Sequence, residues 1–305
     1  MIYIYTTAID ITTNSVINWL NYYEAPFTRI NDVTDFYQLF INWNNTPKRD
    51  VHWFWKWNHP AKFTSGEALI SDLQNHLNSA LKEEYRTIFH LHFNNIHTVV
   101  NHPKHIGLDK FSQLMAAQKC GLKIPDTLIT SSKGELQQFA LKYDNIITKN
   151  FSASLTIASE GEIYKTYTSI LNAEKIRKLP DSFFPSLFQQ YIDKKFEIRV
   201  IYIGGKIYSC ALLASNNIVD VRQSNQQTPI RILPYKIPEN IELQIRAFMS
   251  ITNLQLGSID LIYNQQDEYY FLEINPSGQF LGYSTECNYC VEKEVANYLI
   301  QRSYE

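Results

Sequence analysis

The sequence predicts a mixed α/β fold of the α+β type, because helices and short apolar strands alternate first and strand pairs dominate later. Helical periodicity is clearest over residues 65–93, where leucine recurs at every fourth position. The clearest strand pair is 196–203 and 206–213, joined by a Gly-Gly turn of the kind that short hairpins favour. With 305 residues, the chain is long enough for two domains or one large one.

The first third of the chain contains a strand, a helix, an aromatic strand and the long helix. The apolar pattern predicts the first strand at residues 2–5 and a helix at 15–23. Residues 51–57 read Val-His-Trp-Phe-Trp-Lys-Trp and end at Asn-His-Pro, which is typical of a strand followed by a turn. A turn-like Asn-His-Pro-Lys-His string follows the long helix, so we expect a first domain at 1–100.

The remaining elements predict two further domains, at residues 101–186 and 187–305. The middle domain alternates helices and strands, and the last begins where the pattern becomes strand-rich. The expected helices are 108–120, ended by Gly121, and 136–142, 173–178, 239–252 and 291–301; the expected strands include 124–130, 145–150 and 187–192. The polar run 215–227 is expected to be a loop.

Composition argues against several classes of function. The chain is 45% hydrophobic and 19% charged, with a formal net charge of −2, which gives no broad electrostatic grip on nucleic acid or on an anionic membrane. No apolar run approaches the roughly 18 residues of a membrane span. The first residues lack a secretory signal pattern, so a cytoplasmic protein is expected.

The four cysteines are Cys120, Cys210, Cys287 and Cys290. Only the last two form a Cys-x-x-Cys pair, and no histidine follows His105. A structural zinc site needs four ligands, so we expect reduced cysteines rather than a metal centre.

Oxygen-bearing side chains interrupt the apolar strands at 257–263 and 270–275. Alternation along a strand predicts Glu273 and Asn275 on one face, with Leu272 and Ile274 on the other. Asp260 lies on the preceding strand. Because a buried carboxylate needs compensation, and Asp with Glu-x-Asn is an oxygen set suited to Mg²⁺, these three residues are predicted magnesium ligands. The alternative is a hairpin whose acidic side chains face water.

Several cationic residues could accompany this site. Glu197 and Arg199 share one face of their strand, either as a buried ion pair or as a phosphate-binding arginine held by a carboxylate. Lys149 ends an apolar strand, where a lysine is either solvated or positioned for phosphate. Lys110 on a helix and Arg222 in the polar loop are weaker candidates, with surface positions as the alternative. Metal ions and cations around phosphate stabilise phosphoryl transfer electrostatically.

The order of these motifs resembles that of the ATP-grasp ligases. The matching strings are Lys149, Gln-Gln-Tyr-Ile, Glu-Ile-Arg-Val, Asp-Val-Arg and Gly-Ser-Ile-Asp…Phe-Leu-Glu-Ile-Asn-Pro-Ser-Gly-Gln-Phe. Within that family the whole chain is most similar to the graspetide synthetases, microviridin-type peptide macrocyclases, and to their grasp-with-spasm subgroup. The implied fold has a pre-ATP-grasp domain, a central subdomain and a C-terminal antiparallel subdomain, with ATP between the last two.

The resemblance also implies roles for individual residues. Arg199 and Arg222 would face the γ-phosphate and an acyl-phosphate intermediate, and two Mg²⁺ ions would bind at the hairpin acids. The implied nucleotide-binding residues are Lys110, Lys149, Gln190, Tyr191, Ile192, Glu197 and Asn225, and the implied metal ligands are Asp260, Glu273 and Asn275. Gln190 stands where many family members have Glu. The segment after Lys149 lacks the glycine-rich lid of the glutamate-adding ligases, which favours the graspetide branch.

The implied reaction is closure of ω-ester or ω-amide rings in a precursor peptide that has a leader and a Thr/Ser/Lys plus Asp/Glu core. The implied partners are a radical-SAM-type enzyme encoded nearby and a second copy in a homodimer. The tryptophans of 53–57 and the 215–230 loop are candidate peptide-docking segments, with core packing as the alternative for the tryptophans. Two other functions stay open: a ligase for a small molecule or protein tail, and a non-catalytic nucleotide- or nucleic-acid-binding module.

Overall fold

Four sheets organise the protein in a computed structural model that describes residues 1–32, 35–36, 50–56, 71–151, 156–159, 162–213 and 230–304. They contain four, four, five and two strands. The mixed α/β prediction is confirmed. In the described segments, no helix combines the length and the apolar character that crossing a membrane requires.

The first sheet is parallel, with strand order β2-β1-β3-β4. Its elements are β1 (Ile2–Tyr5), α1 (Ile11–Tyr22), β2 (Phe27–Ile30), β3 (Val51–Phe54), α2 (Ser71–Asn94) and β4 (Thr98–Val100). The first helix begins at Ile11, four residues earlier than predicted, because the Asp10 carboxylate accepts a hydrogen bond from the Thr13 backbone N–H and caps it.

The second sheet is antiparallel, with strand order β5-β10-β6-β9, and it follows two helices. The elements are α3 (Pro103–Ile106), α4 (Lys110–Lys119), β5 (Thr127–Ser132), α5 (Lys133–Ala140), β6 (Ile146–Lys149), β7 (Thr156–Ser159), β8 (Glu162–Lys165), β9 (Ser169–Leu171), α6 (Ala173–Arg177) and β10 (Ser182–Gln190). Strands β7 and β8 pair separately as a hairpin. The chain leaves this sheet at Gln190 and enters the next one four residues later.

The third sheet is antiparallel, with strand order β13-β12-β11-β14-β15. Its elements and the flanking helices are β11 (Lys194–Ile203), β12 (Lys206–Leu213), β13 (Arg231–Pro234), α7 (Glu239–Ile251), β14 (Leu256–Asn264), β15 (Tyr269–Asn275), α8 (Leu281–Cys287) and α9 (Val291–Arg302). The predicted Gly-Gly turn joins β11 to β12, and both glycines have positive φ, 50° at Gly204 and 99° at Gly205. Two positive φ values match the right-handed twist of the paired strands.

One hydrophobic core joins the first sheet to the third. Trp53 and Trp55 are 0% and 2% exposed and pack with Ile201 and Ile203 of β11 and with Phe280. The prediction that these two tryptophans form a peptide-docking surface is wrong, because their rings fill this shared core. Trp57 and residues 214–229 lie outside the described residues.

Several short elements were not predicted. They are β2, β4, β9, β13, α3 and α8, of three to seven residues each. Such lengths carry too few residues for a period of two or 3.6 to stand out. All four cysteines have free thiols, with Cys210 and Cys287 buried together and Cys290 exposed.

Candidate active site

Three adjacent strands of the third sheet place a row of charged side chains across the middle of it. Arg199 on β11 is the register partner of Asp260 on β14, and Asp260 is the partner of Glu273 on β15. The Arg199 Nη1 atom lies 2.5 Å from Asp260 Oδ1 and 3.4 Å from the Ser258 hydroxyl oxygen. The side chains of Arg199 and Asp260 are 22% and 26% exposed, so water reaches the row.

On β11, the row is flanked by residues that are buried on both faces of the strand. Ile198 and Val200 point into the core beneath α7, and Ile201 and Ile203 point into the core shared with the first sheet. The alternation predicted for this strand is confirmed. Glu197 forms an ion pair with Lys194 on the same strand, so its carboxylate does not contact Arg199 directly.

A fourth charged residue reaches the row from a helix. Lys110, the first residue of α4, places its Nζ 3.1 Å from Glu273 Oε2. Gln113, one turn further on, accepts a hydrogen bond from the Ile274 backbone N–H at 2.9 Å and so ties the helix to β15. The Asp109 carboxylate caps the helix by accepting from the Ser112 N–H. The weak sequence candidate Lys110 therefore lies at the charged row.

A β-bulge changes the predicted facing of residues on β15. Asp260 is opposite Glu273, but the next residue of β14, Leu261, is opposite Phe271, so Leu272 is an extra residue on its strand. Phe271 and Ile274 both enter the core, whereas Leu272 is only half-buried and lies outside it. The sequence predicts Leu272 and Ile274 on one face of the strand, but only Ile274 enters the core. The bulge lets Glu273 stay beside Asp260.

The segment after β15 packs closely against the neighbouring strand. Asn275 is exposed, and its Oδ1 accepts a hydrogen bond from the Ser277 backbone N–H at 3.1 Å. A Cβ on Gly278 would lie 2.5 Å from the Ser258 Cβ, so only glycine fits there without movement. Asn275 is the register partner of Ser258, which is also the residue that approaches Arg199.

Electrostatics keep Arg199 ionised. Burial alone would lower its pKa, but the Asp260 carboxylate, with Glu197 and Glu273 further away, raises the pKa overall. The Arg199 guanidinium also lies 5.2 Å from the centre of the Tyr283 ring, which contributes a cation–π contact. Tyr283 belongs to α8, a helix that was not predicted. In the sequence, the one signal for Tyr283 is its position shortly after the Asn-Pro-Ser-Gly motif.

The other predicted nucleotide-binding residues lie on the second sheet or at its exit. Lys149 ends β6 and is the register partner of Leu187 on β10. Gln190 ends β10 and donates its backbone N–H to the Asp126 carbonyl, and the Tyr191 N–H donates to Asn145. Gln190 and Tyr191 line a cleft of about 520 Å³, whereas Ile192 is buried. Arg222 and Asn225 lie outside the described residues.

The donor set at the row fits magnesium rather than a softer metal. Asp260, Glu273 and Asn275 offer two carboxylates and one amide oxygen, which are the ligands that Mg²⁺ takes while keeping water and phosphate in its other positions. Among the described residues, no group of three or more His, Cys, Asp or Glu side chains is placed to hold a metal. A site with only two carboxylates needs further oxygens from a ligand such as a phosphate.

Comparisons with known proteins agree with this architecture. Residues 108–299 match the family model described as the RimK-like ATP-grasp domain. No curated protein matches the chain.

Solved structures of similar fold cover almost the whole chain. The macrocyclase MdnC from Microcystis aeruginosa, bound with precursor peptide MdnA, superposes with a TM-score of 0.79 at 22% identity over 99% of both chains. A RiPP-associated ATP-grasp ligase from Chryseobacterium gregarium, in complex with ADP and a leader and core peptide, gives 0.75 at 22% identity over 99% of this chain and 96% of that one. The ATP-grasp ligase PsnB, complexed with a precursor variant, Mg and ADP, gives 0.74 at 16% identity over 99% and 98%.

Proposed function

Because this chain belongs to the RimK-like ATP-grasp domain family, we propose that it is an ADP-forming carboxylate ligase that matures a graspetide. It phosphorylates Asp or Glu side chains of a ribosomally made precursor peptide. It then closes ω-esters with Ser or Thr hydroxyls, or ω-amides with Lys amines. The observation that carries the proposal is the row of Lys110, Glu273, Asp260 and Arg199 across the third sheet.

The row is suited to receive a metal–nucleotide complex because its charges can exchange partners. Each carboxylate is now held by a cation, Asp260 by Arg199 and Glu273 by Lys110. When a triphosphate enters, its oxygens are strong acceptors for both cations. The two carboxylates, with Asn275, then become available as magnesium ligands. The net charge of the row stays balanced in both states, so binding leaves no half-buried charge uncompensated.

Magnesium, proposed as two ions, would neutralise phosphate charge during transfer. Lys149, Gln190, Tyr191 and Ile192 are proposed to bind the rest of the nucleotide between the second and third sheets. Support for this comes from the position of Gln190, Tyr191 and Ile192 at the end of β10 and in its connection to β11, and from Lys149 at the end of the neighbouring strand β6. Glu197, Arg222 and Asn225 keep their predicted roles as proposals.

The reaction has two steps with balanced bonds. A peptide carboxylate oxygen attacks the γ-phosphorus, and the bond to ADP breaks. A hydroxyl or amine of the same peptide then attacks the acyl carbon, loses its proton, and inorganic phosphate leaves. Arg199 orients the transferring group and stabilises its charge, because its guanidinium can donate two parallel hydrogen bonds to phosphate oxygens. ATP cleavage makes the net loss of water from the peptide favourable.

A peptide substrate is favoured by the neighbours of similar fold, which are described as bound with precursor, leader or core peptides. We extend this to a precursor with a leader and a core rich in Thr, Ser or Lys and in Asp or Glu. A cytoplasmic location remains a prediction from the sequence, and a homodimer and a radical-SAM-type partner enzyme remain predictions from the family resemblance.

The test is incubation of the protein with Mg²⁺, ATP and the small Thr-, Asp- and Glu-rich peptide encoded beside its gene, followed by mass spectrometry. We expect the loss of one water for each ring, only when ATP is present. Glu273→Ala should abolish it, because the variant lacks one proposed metal ligand. Glu83→Ala is the matched control, since Glu83 is an exposed acid on α2.

The other functions predict different results. Unchanged peptide mass together with ATP consumption on free amines would favour a small-molecule ligase. Tight nucleotide binding without any turnover would favour a binding module. Either result would contradict the macrocyclase proposal.

A further inference from the structure

A second polar site lies at the carboxyl end of the first sheet, and the loop that follows β15 links it to the strand that carries Glu273. Parallel sheets bind ligands at this end. Here β3 continues into Trp55 and Lys56, and β1 continues through Thr6 towards Asp10, which caps α1. The residues involved are far apart in the sequence, so the sequence alone does not predict this site.

One loop joins this second site to the charged row. The segment that follows Asn275 crosses to the first sheet, where the Ser277 hydroxyl donates to the Trp55 carbonyl at 2.5 Å. Gln279 then donates through Nε2 to Asp10 Oδ2 at 2.9 Å and accepts from the Thr12 hydroxyl. The loop that begins after Asn275 therefore contacts Trp55 and Asp10, the two residues next to Lys56.

The Asp10 carboxylate accepts three hydrogen bonds. Its Oδ1 accepts from the Thr13 N–H at 2.7 Å and from the Thr13 hydroxyl at 2.8 Å, and its Oδ2 accepts from Gln279. Burial alone would raise the pKa of Asp10, but these hydrogen bonds outweigh it and the pKa is lowered. The carboxylate is 4% exposed, so its charge faces the cap of α1 and not the solvent.

Lys56 is the group at this site that can bind a second anion. Its Nζ is 4.0 Å from Asp10 Oδ2, which is too long for a hydrogen bond, so within the described part of the chain the ammonium keeps its donors for a ligand. The Lys56 side chain is 35% exposed, in contrast to the buried carboxylate beneath it. A ligand at this site would thus meet the half-buried Lys56 ammonium above the buried Asp10 carboxylate.

We infer that Lys56 binds the acceptor carboxylate of the substrate peptide and holds it beside the charged row until it is phosphorylated. This inference rests on the proposed function. It follows from charge: once Arg199 and Lys110 bind phosphate oxygens, the incoming carboxylate has to approach the anionic oxygens of the γ-phosphate, and a cation of its own reduces that repulsion. Lys56 provides that cation from a different sheet, so it selects an anionic acceptor without competing for the nucleotide.

The test is a double-mutant cycle read by binding. The affinity of the Asp- and Glu-rich peptide encoded beside the gene is measured in the presence of Mg²⁺ and a non-hydrolysable ATP analogue. The enzyme is wild type or Lys56→Gln, and the peptide carries its acceptor Asp or Glu or the matching Asn or Gln. We expect the acceptor amide to weaken binding to the wild type about 10-fold or more, since a charged hydrogen bond is lost. Binding to Lys56→Gln should be equally weak for both peptides.

Three further measurements make the result specific. Lys56→Arg should restore most of the discrimination, because it keeps the charge. Lys82→Gln, an exposed lysine on α2, should behave as the wild type. Affinity for the ATP analogue alone should not change in Lys56→Gln.

If the wild type closes rings and the acceptor amide weakens binding equally in the wild type and in Lys56→Gln, this inference is overturned while the proposed function stands. Absence of ring closure by the wild type would instead contradict the proposed function.

Discussion

At the scale of single residues, Arg199 is the group on which most of the proposed chemistry depends. It contacts Asp260 at 2.5 Å, approaches Ser258 at 3.4 Å and lies against the Tyr283 ring. These contacts fix the guanidinium from three sides. A fixed cation stabilises developing charge without reorganising during the reaction, which is why such groups contribute strongly to catalysis.

We therefore expect Arg199→Ala to slow ring closure by about 100-fold or more, as is typical when a preorganised donor to developing charge is removed. Arg199→Lys should recover only part of the rate, because an ammonium cannot form the paired hydrogen bonds of a guanidinium. Single-turnover mass spectrometry with saturating ATP measures both effects. Arg246→Ala is the control, since Arg246 is 40% exposed on α7. A normal rate in Arg199→Ala would show that the role assigned to Arg199 is wrong.

Two buried histidines predict how stability depends on pH. The Tyr5 hydroxyl lies 2.8 Å from His52 Nδ1 and 3.0 Å from His92 Nε2, in the core of the first sheet. With its single proton, the hydroxyl can donate to one neutral ring and accept from the other. Burial lowers the pKa of His52 to about 3 and that of His92 to about 4.

As pH falls below about 6.5, the unfolded chain binds protons that these folded histidines cannot bind, so the free energy of unfolding decreases. At pH 5 the expected loss is about 2 kcal/mol for each histidine relative to pH 7.5. Urea unfolding at the two pH values measures it. His92→Gln should reduce the pH dependence, whereas His76→Gln, exposed on α2, should leave it unchanged. Equal pH dependence in all three proteins would contradict this assignment.

At the scale of elements, the sequence identifies the strands of the site better than it identifies their contacts. The row of Arg199, Asp260 and Glu273 follows from alternation on apolar strands, because a charged residue there stands out against its neighbours. The bulge at Leu272 could not be predicted, since pairing register depends on the partner strand. The contact of Lys110 with Glu273 could not be predicted either, because it joins residues brought together only by the packing of α4 on β15.

The loop after β15 provides a prediction at the same scale. A methyl group on Gly278 would lie 2.5 Å from the Ser258 Cβ and 3.1 Å from the Asn275 carbonyl oxygen. We expect Gly278→Ala to push the loop away from β14, to cost about 1–3 kcal/mol of stability, and to slow ring closure by displacing Asn275.

Thermal unfolding and the ring-closure assay test this loop prediction. The matched control is Gly134→Ala in α5, where the nearest atom to the new Cβ is 3.7 Å away. A glycine in a helix destabilises it, so this control should gain about 0.5–1 kcal/mol. Wild-type stability and activity in Gly278→Ala would show that the loop has room to adjust.

At the scale of the whole molecule, the predicted boundary near residue 100 is crossed by a buried residue. Asn101 has φ 57° and is 0% exposed. Its Oδ1 accepts from the backbone N–H groups of Gln255 and Leu256, and its Nδ2 donates to the carbonyls of Leu256 and Pro276. The residue that reads as a turn signal in the sequence thus links the end of the first sheet to the strand and the loop that form the site.

Because Trp53 and Trp55 also pack against the third sheet, residues 1–100 share a core with the site-bearing part of the chain. We expect Asn101→Gly to cost about 2–3 kcal/mol, since glycine keeps the left-handed backbone but leaves buried partners of the amide unsatisfied. Asn101→Ala should cost about 1–2 kcal/mol more, because its Cβ strains the positive φ.

Urea unfolding should show one transition for both variants. If Asn101→Ala and Asn101→Gly are equally stable, backbone strain does not contribute. If the first sheet unfolds separately in the wild type, Asn101 and the shared core do not couple the two parts.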